Sequence, residues 1–236
     1  EVRVAQTSSE QFAARLRKVA RERARWARRQ GITCYRVYDA DLPEYDVAID
    51  VFQPEDSDGE CLVRIEEHAG RHRSDSERVA YRLADATALT RAVLDVPRDN
   101  VVVVRAGEVA SSRVAIVREG SYRFEVNLAA HRTGLAPEQR CVRELVGTQS
   151  KGRRVACLFS TGGSALVHAV GGGATSCVVV DASKGHLDGV HDLMRANGLA
   201  NARCTYACVD VRPWVARERQ QHHTFDLVVC LAPLWL

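Results

Sequence analysis

Residues 158–181 read LFSTGGSALVHAVGGGATSCVVVD, and this stretch decides the fold. An apolar strand runs into Ser160-Thr161-Gly162-Gly163-Ser164, small residues that open a helix, and a second apolar strand ends in Asp181. Small side chains at a strand-to-helix turn let a nucleotide approach the backbone at the carboxyl edge of a sheet, where α/β folds bind ligands. A carboxylate that closes the second strand is placed to accept both ribose hydroxyls. The candidate cofactor residues are therefore the turn Ser160, Gly162, Gly163, Ser164 and the acid Asp181. A full G-x-G-x-x-G is absent, so a nicotinamide dinucleotide is not required, and a tight turn of any α/β fold would share the pattern.

Working outward, the rhythm from Pro137 onward is that of βαβ units. A helix over 137–147 precedes strands at 155–159, 177–181, 203–208 and 225–231, with helices at 164–170, 183–197 and after Asp210. Such alternation predicts a parallel sheet with right-handed crossovers. Asp210 follows the third of these strands, where a carboxylate can bond an adenine amino group. It reads equally as a helix N-cap, because Val211-Arg212-Pro213-Trp214 looks like a first helical turn.

The earlier part reads as α+β. A helix opens on a capping pattern at Ser8 and Gln11, stops at Gly31, and carries Phe12, Leu16, Val19 and Trp26 on one stripe. Strands follow at 33–37, 46–52 and 61–67. A helix over Ser76–Leu94 places Val79, Leu83, Ala86, Thr90 and Val93 on one face, and strands at 101–105, 113–118 and 121–128 complete the region. The predicted division is a basic N-terminal helix over 1–31, an α+β connecting domain over 32–130, for which the resemblance given below implies RNA binding, and a Rossmann-like domain over 131–236.

Charge is unevenly placed. The net charge is +3, yet residues 1–31 alone hold nine basic groups against three acids. A basic arm on a near-neutral body suits a polyanion, and arginine, which supplies nearly all of the charge, pairs bidentately with phosphate and stacks on bases. Candidate RNA contacts are Arg15, Lys18, Arg25 and Arg29 on the first helix, with Arg71 and Arg73 in a later loop; a solvated helix face is the plainer alternative. No stretch approaches the ~18 apolar residues of a membrane span, so no membrane partner is expected. Cys157, Cys177, Cys208 and Cys230 fall in apolar runs and read as buried thiols of a reducing compartment. Cys204, Cys208, His222 and His223 lack the tight pairs of zinc modules, so no metal is expected. The chain opens on Glu1 without a secretory leader, and an encoded start upstream of it is expected.

The run Cys34-Tyr35-Arg36-Val37-Tyr38-Asp39-Ala40-Asp41-Leu42-Pro43-Glu44-Tyr45 resembles the segment that introduces the guanine-N7 methyltransferase half of the RlmKL/RlmI family, S-adenosylmethionine-dependent enzymes of large-subunit rRNA. Phe12–Lys18, Glu125–Leu128, Thr133-Gly134-Leu135, Leu158–Ser160, Gly163–Ala165, Val167–Ala169, Gly172–Ala174, Val180-Asp181 and Asn197–Leu199 match the same family in the same order. The resemblance implies a class I methyltransferase sheet preceded by a smaller α+β domain that helps hold RNA. It also implies S-adenosylmethionine contacts from Phe159, Ser160, Gly163, Asp181 and Asp210. The reaction implied is direct displacement of the sulfonium methyl by a guanine nitrogen, in which the enzyme contributes alignment and a complementary field.

The departures lie at the base-binding end. The family's Asp-Pro-Pro and following aromatic become Leu231-Ala232-Pro233-Leu234-Trp235, its Tyr-Thr before Gly163 becomes Thr161-Gly162, and the chain stops at Leu236 before the later strands of the sheet. Neither Leu231 nor Ala232 can give a flipped base a side-chain hydrogen bond. No catalytic side chain is assigned. The expected protein is an rRNA-binding factor of methyltransferase fold working on the pre-ribosomal particle, with weak or no transfer and with cofactor binding retained or lost. The mitochondrial matrix is favoured over a bacterial cytoplasm. The alternatives are an active guanine methyltransferase and, from another class, a nucleotide-dependent oxidoreductase.

Overall fold

The first helix, α1 (Ser8–Gln30), is fastened at both ends. Thr7 Oγ1 accepts the Glu10 amide at 3.3 Å and the Glu10 carboxylate accepts the Thr7 amide at 2.8 Å. The sequence pattern predicts this box on Ser8 and Gln11; the structure sets it one residue earlier. The physical reason is that Glu10 brings a negative charge to the positive helix end, which Gln11 cannot. Gly31 closes the helix in the left-handed conformation, φ 63°. Replacing Thr7 with alanine is expected to cost ~1 kcal/mol, read as a lowered urea midpoint.

The computed structural model describes residues 7–57, 59–68, 76–105, 112–130, 133–159 and 162–231. They form two compact units, Glu1–Ser121 with Val126–His131, and Tyr122–Glu125 with Arg132–Leu236.

In the first unit, β1 (Cys34–Asp39), β2 (Val47–Phe52), β3 (Leu62–Glu67) and β4 (Val101–Val104) make a sheet in that order. The first three strands are antiparallel; β4 joins β3 in parallel after the crossover helix α2 (Ser76–Leu94). All six residues of β2 are buried, so it shows no polar alternation. The one acid among them, Asp50, is held by both Nε and Nη2 of Arg36, at 2.8 and 3.1 Å, as a buried carboxylate requires. Helix α1 is part of this unit's core: Phe12 and Leu16 are fully buried, and the Phe12 ring stacks on Tyr45 at 4.2 Å. The Tyr45 hydroxyl reaches Asp85 of α2 at 2.5 Å. A two-stranded ribbon, β5 (Val114–Glu119) and β6 (Tyr122–Asn127), follows.

In the second unit α3 (Arg140–Gln149) precedes a parallel sheet of β7 (Arg154–Leu158), β8 (Ser176–Asp181), β9 (Cys204–Cys208) and β10 (Leu227–Cys230), in the order β10-β7-β8-β9. The connections are α4 (Ser164–Gly171), α5 (Lys184–Ala196) and α6 (Val211–Gln220). Ala156, Leu158 and Val180 on one face pack against Val211 and Trp214 of α6. This is the parallel sheet that the βαβ rhythm predicts, and the kind that the family resemblance implies.

Cys157 and Cys177 are buried, and burial pushes the Cys157 thiol up to about 12, so it stays protonated. Cys208 and Cys230 are exposed, against expectation, because β9 and β10 are the outer strands of the described sheet and their last residues have one side open. Among the described residues no helix is long and apolar enough to cross a membrane.

Candidate cofactor site

The site is built where β7 and β8 end. Leu158 pairs with Val180 in register, and the Phe159 amide donates to the Val180 carbonyl at 3.0 Å. The turn after β7 and Asp181 at the end of β8 therefore stand side by side on the carboxyl edge. The chain turns sharply here: Phe159 has φ 56°, a left-handed conformation that a bulky aromatic rarely adopts, and Gly162 and Gly163 follow at φ 79° and 65°. Such conformations persist only where the surroundings over-determine them.

The two glycines are held by different neighbours. A Cβ on Gly162 would lie 2.7 Å from the Gly134 carbonyl oxygen, and one on Gly163 would lie 3.0 Å from Val190 Cγ2 of α5. The Thr133-Gly134-Leu135 segment is thus pressed against the turn, a neighbour that no local pattern reveals. Gly163 caps α4 without a side chain, so among the described residues the first amides of α4 have no side-chain cap. Ser164 is buried at the start of that helix. The Phe159 ring packs on the cluster containing Leu158, Val180 and Trp214. Ser160 lies outside the described residues.

Asp181 is 7 % exposed. Its Oδ1 accepts the Ser183 amide at 2.8 Å and lies 3.0 Å from His186 Nδ1, so the imidazole tautomer with its proton on Nδ1 donates to the same oxygen. Oδ2 has no partner among the described residues. The second oxygen of a carboxylate in so nearly buried a residue is suited to a hydroxyl donor. His186 was not singled out by sequence reading, although its place in the first turn of the helix after Asp181 was a usable signal. Replacing His186 with alanine is expected to weaken cofactor binding only a few-fold, because Ser183 still orients the carboxylate; titration calorimetry reads the change.

Asp210 caps α6, with Oδ1 accepting the Arg212 amide at 2.8 Å, and more than half of its side chain is exposed. The cap is realised, and Oδ2 is left for other use. Leu231 follows β10 directly, and its amide donates to the Leu158 carbonyl at 3.4 Å, beside the start of the turn. The carboxyl edge thus brings together Phe159, Gly162, Gly163, Ser164, Asp181 and Leu231, with Asp210 one strand further along.

The profile of the S-adenosylmethionine-dependent methyltransferase family matches residues 96–235, more than half of the chain. The chain belongs to that family. Membership decides between the two cofactor chemistries that the glycine turn left open, in favour of S-adenosylmethionine. Ribosomal RNA large subunit methyltransferase K/L of Methylococcus capsulatus is 35% identical over 233 residues, 93% of this chain and 31% of that protein. The chain thus spans about a third of that relative's length. Among solved structures, a protein of Streptococcus mutans described as a SAM-dependent methyltransferase superposes with a TM-score of 0.72 at 22% identity, covering 96% of this chain and 59% of its own. A methyltransferase crystallised with SAH matches with the same TM-score at 21% identity, over 96% of this chain and 58% of that one. These structures share the fold.

Of the candidate RNA contacts, Lys18, Arg25 and Arg29 are exposed on α1. Arg15 Nε is engaged with Asp41 Oδ2 at 2.6 Å. Arg71 and Arg73 lie outside the described residues.

Proposed function

We propose that this chain is the S-adenosylmethionine-binding part of a protein that acts on large-subunit rRNA within pre-ribosomal particles, and that its own methyl transfer is slow. The observation that carries the reading is the carboxyl edge itself: its cofactor half is furnished, and on the base side the described chain reaches Leu231, with Ala232, Pro233 and Trp235 outside the described residues. Asp181 Oδ2 is suited to the ribose hydroxyls, and the uncapped amides of α4 suit a carboxylate. Gly162 and Gly163 add no side chain to the turn. S-adenosylmethionine supplies an electrophilic methyl group on a sulfonium. The protein's part in such a displacement is to hold methyl and nucleophile in line, and a shift of ~1 Å can lose about a hundredfold in rate. At the end of β10 the chain offers Leu231, an aliphatic side chain that can pack on a base but cannot grip its hydrogen-bonding edge. The rRNA assignment draws on the identity to the large-subunit methyltransferase of Methylococcus capsulatus.

The competing reading is an efficient guanine methyltransferase, favoured by the furnished cofactor half. Guanine modification of large-subunit rRNA, mapped with and without this gene, separates the two. A modified guanine that vanishes on deletion, and returns with the wild type but not with Asp181→Ala, would overturn slow transfer. An unchanged map together with binding of S-adenosylmethionine by the purified chain is the expected result.

A further inference from the structure

We infer that the outward face of α1 is a docking trough for the phosphate backbone of RNA, with Arg17, Lys18, Arg21 and Arg25 as its cations; the choice of RNA rests on the rRNA reading above. At 100° per residue the buried side chains of α1, Phe12, Leu16, Ala20 and Ala27, fall on one stripe. Ala14, Lys18, Arg21 and Arg25 fall on the diametrically opposite stripe, flanked by Arg17 and Glu22. These six exposed side chains fence an open trough of about 410 Å³.

Folding does not explain this face. The core of the unit is on the other side of the helix, and like charges three and four residues apart weaken a helix rather than support it. Elsewhere in the same unit arginines are matched by acids: Arg15 by Asp41, Arg36 by Asp50, Arg64 by Glu66. The four trough cations have no ion pair or side-chain hydrogen bond among the described residues, and Glu22 is the one acid beside them. What would neutralise them must come from outside.

The lining also says which class of polyanion fits. Protein interfaces are built on an apolar or aromatic centre, and the one uncharged side chain in this trough is the methyl group of Ala14. Three arginines at four-residue spacing make a row roughly 12 Å long. Guanidinium forks grip phosphate oxygens in pairs, and a phosphate row needs no apolar centre. Contacts of this type position an RNA without reading its bases.

The test uses the full 236-residue chain. Arg17, Arg21 and Arg25 are changed together to alanine, the best helix former, so the fold is retained and circular dichroism checks it. Binding to a fluorescent hairpin of large-subunit rRNA is followed by anisotropy across a salt series, beside polyglutamate as an acidic-protein probe. A second triple, Arg195→Ala, Arg203→Ala and Arg217→Ala, removes the same charge elsewhere. The α1 triple is expected to weaken RNA binding roughly tenfold or more and to flatten the salt slope by about 2 to 3, with the second triple near wild type. Wild-type slope in the α1 triple, or an equal loss in the second triple, overturns the trough while leaving the rRNA reading standing. No RNA binding by the wild-type chain at low salt overturns both. Equal binding of polyglutamate and RNA, both lost in the α1 triple, overturns the assignment to RNA in favour of an acidic protein partner.

Discussion

Replacing Asp181 with alanine is expected to weaken S-adenosylmethionine binding by roughly ten- to a hundredfold. A hydrogen bond to a charged group is worth ~1.5–3 kcal/mol, and the cost is greatest where the donor is left without an acceptor away from water. Asp181 is nearly buried, one of its oxygens is already committed to Ser183 and His186, and the other has no described partner. The alanine variant removes the carboxylate that closes β8 beside the turn after β7. Calorimetric titration with S-adenosylmethionine measures the loss, and the folded state is checked beforehand because the Ser183 amide also loses its acceptor. RNA affinity of the same variant should stay at the wild-type level. An unchanged cofactor affinity would remove Asp181 from the site.

Substituting Gly162 with alanine is expected to lower the stability of the second unit by about 2–5 kcal/mol. Holding an L-residue in the left-handed region costs roughly 1–2 kcal/mol, and forcing extra volume into a packed place costs roughly 1–3 more. Both apply here, since φ is 79° and the added Cβ would meet the Gly134 carbonyl at 2.7 Å, backbone against backbone. A natural control lies in α5, where a Cβ on Gly189 would meet nothing within 4 Å. Gly189→Ala should be neutral or stabilising by up to ~1 kcal/mol, as alanine replaces glycine inside a helix. Urea unfolding of both variants compares them, and similar midpoints would mean that the turn can move away from Gly134.

Most of this fold was legible because it is locally written. The long helix Ser76–Leu94 was readable from its apolar spacing, and its bounds are those observed. The βαβ rhythm from residue 154 is punctuated by Gly162-Gly163 before its first helix, Gly171-Gly172-Gly173 at the end of it and Gly198 after the second. The strand-terminal Asp181 could be set beside the turn because parallel neighbours end on the same edge. What escaped is set by tertiary approach. The first helix is capped by Thr7 rather than Ser8, a difference of one residue decided by which acid can fold back. Neither the pressure of Gly134 on Gly162 nor the pairing of Arg15 with Asp41 has a signature in either segment alone. Cys208 and Cys230 sit in apolar runs, and it is their outer strands, invisible in composition, that leave them open.

The interleaving of the two units has a consequence for how such a gene can change. Tyr122–Glu125 belongs with the second unit, whereas Ser121 before it and Val126–His131 after it belong with the first. A recombination breakpoint at residue 121 would carry Val126 and Leu128, both fully buried, away from the unit they complete. One at residue 131 would instead strip the second unit of Phe124, which is 1% exposed. Any single crossover that exchanges one half builds at least one core from residues of two parents. Exchange of the pair as one block of coding sequence is the change that keeps both cores matched.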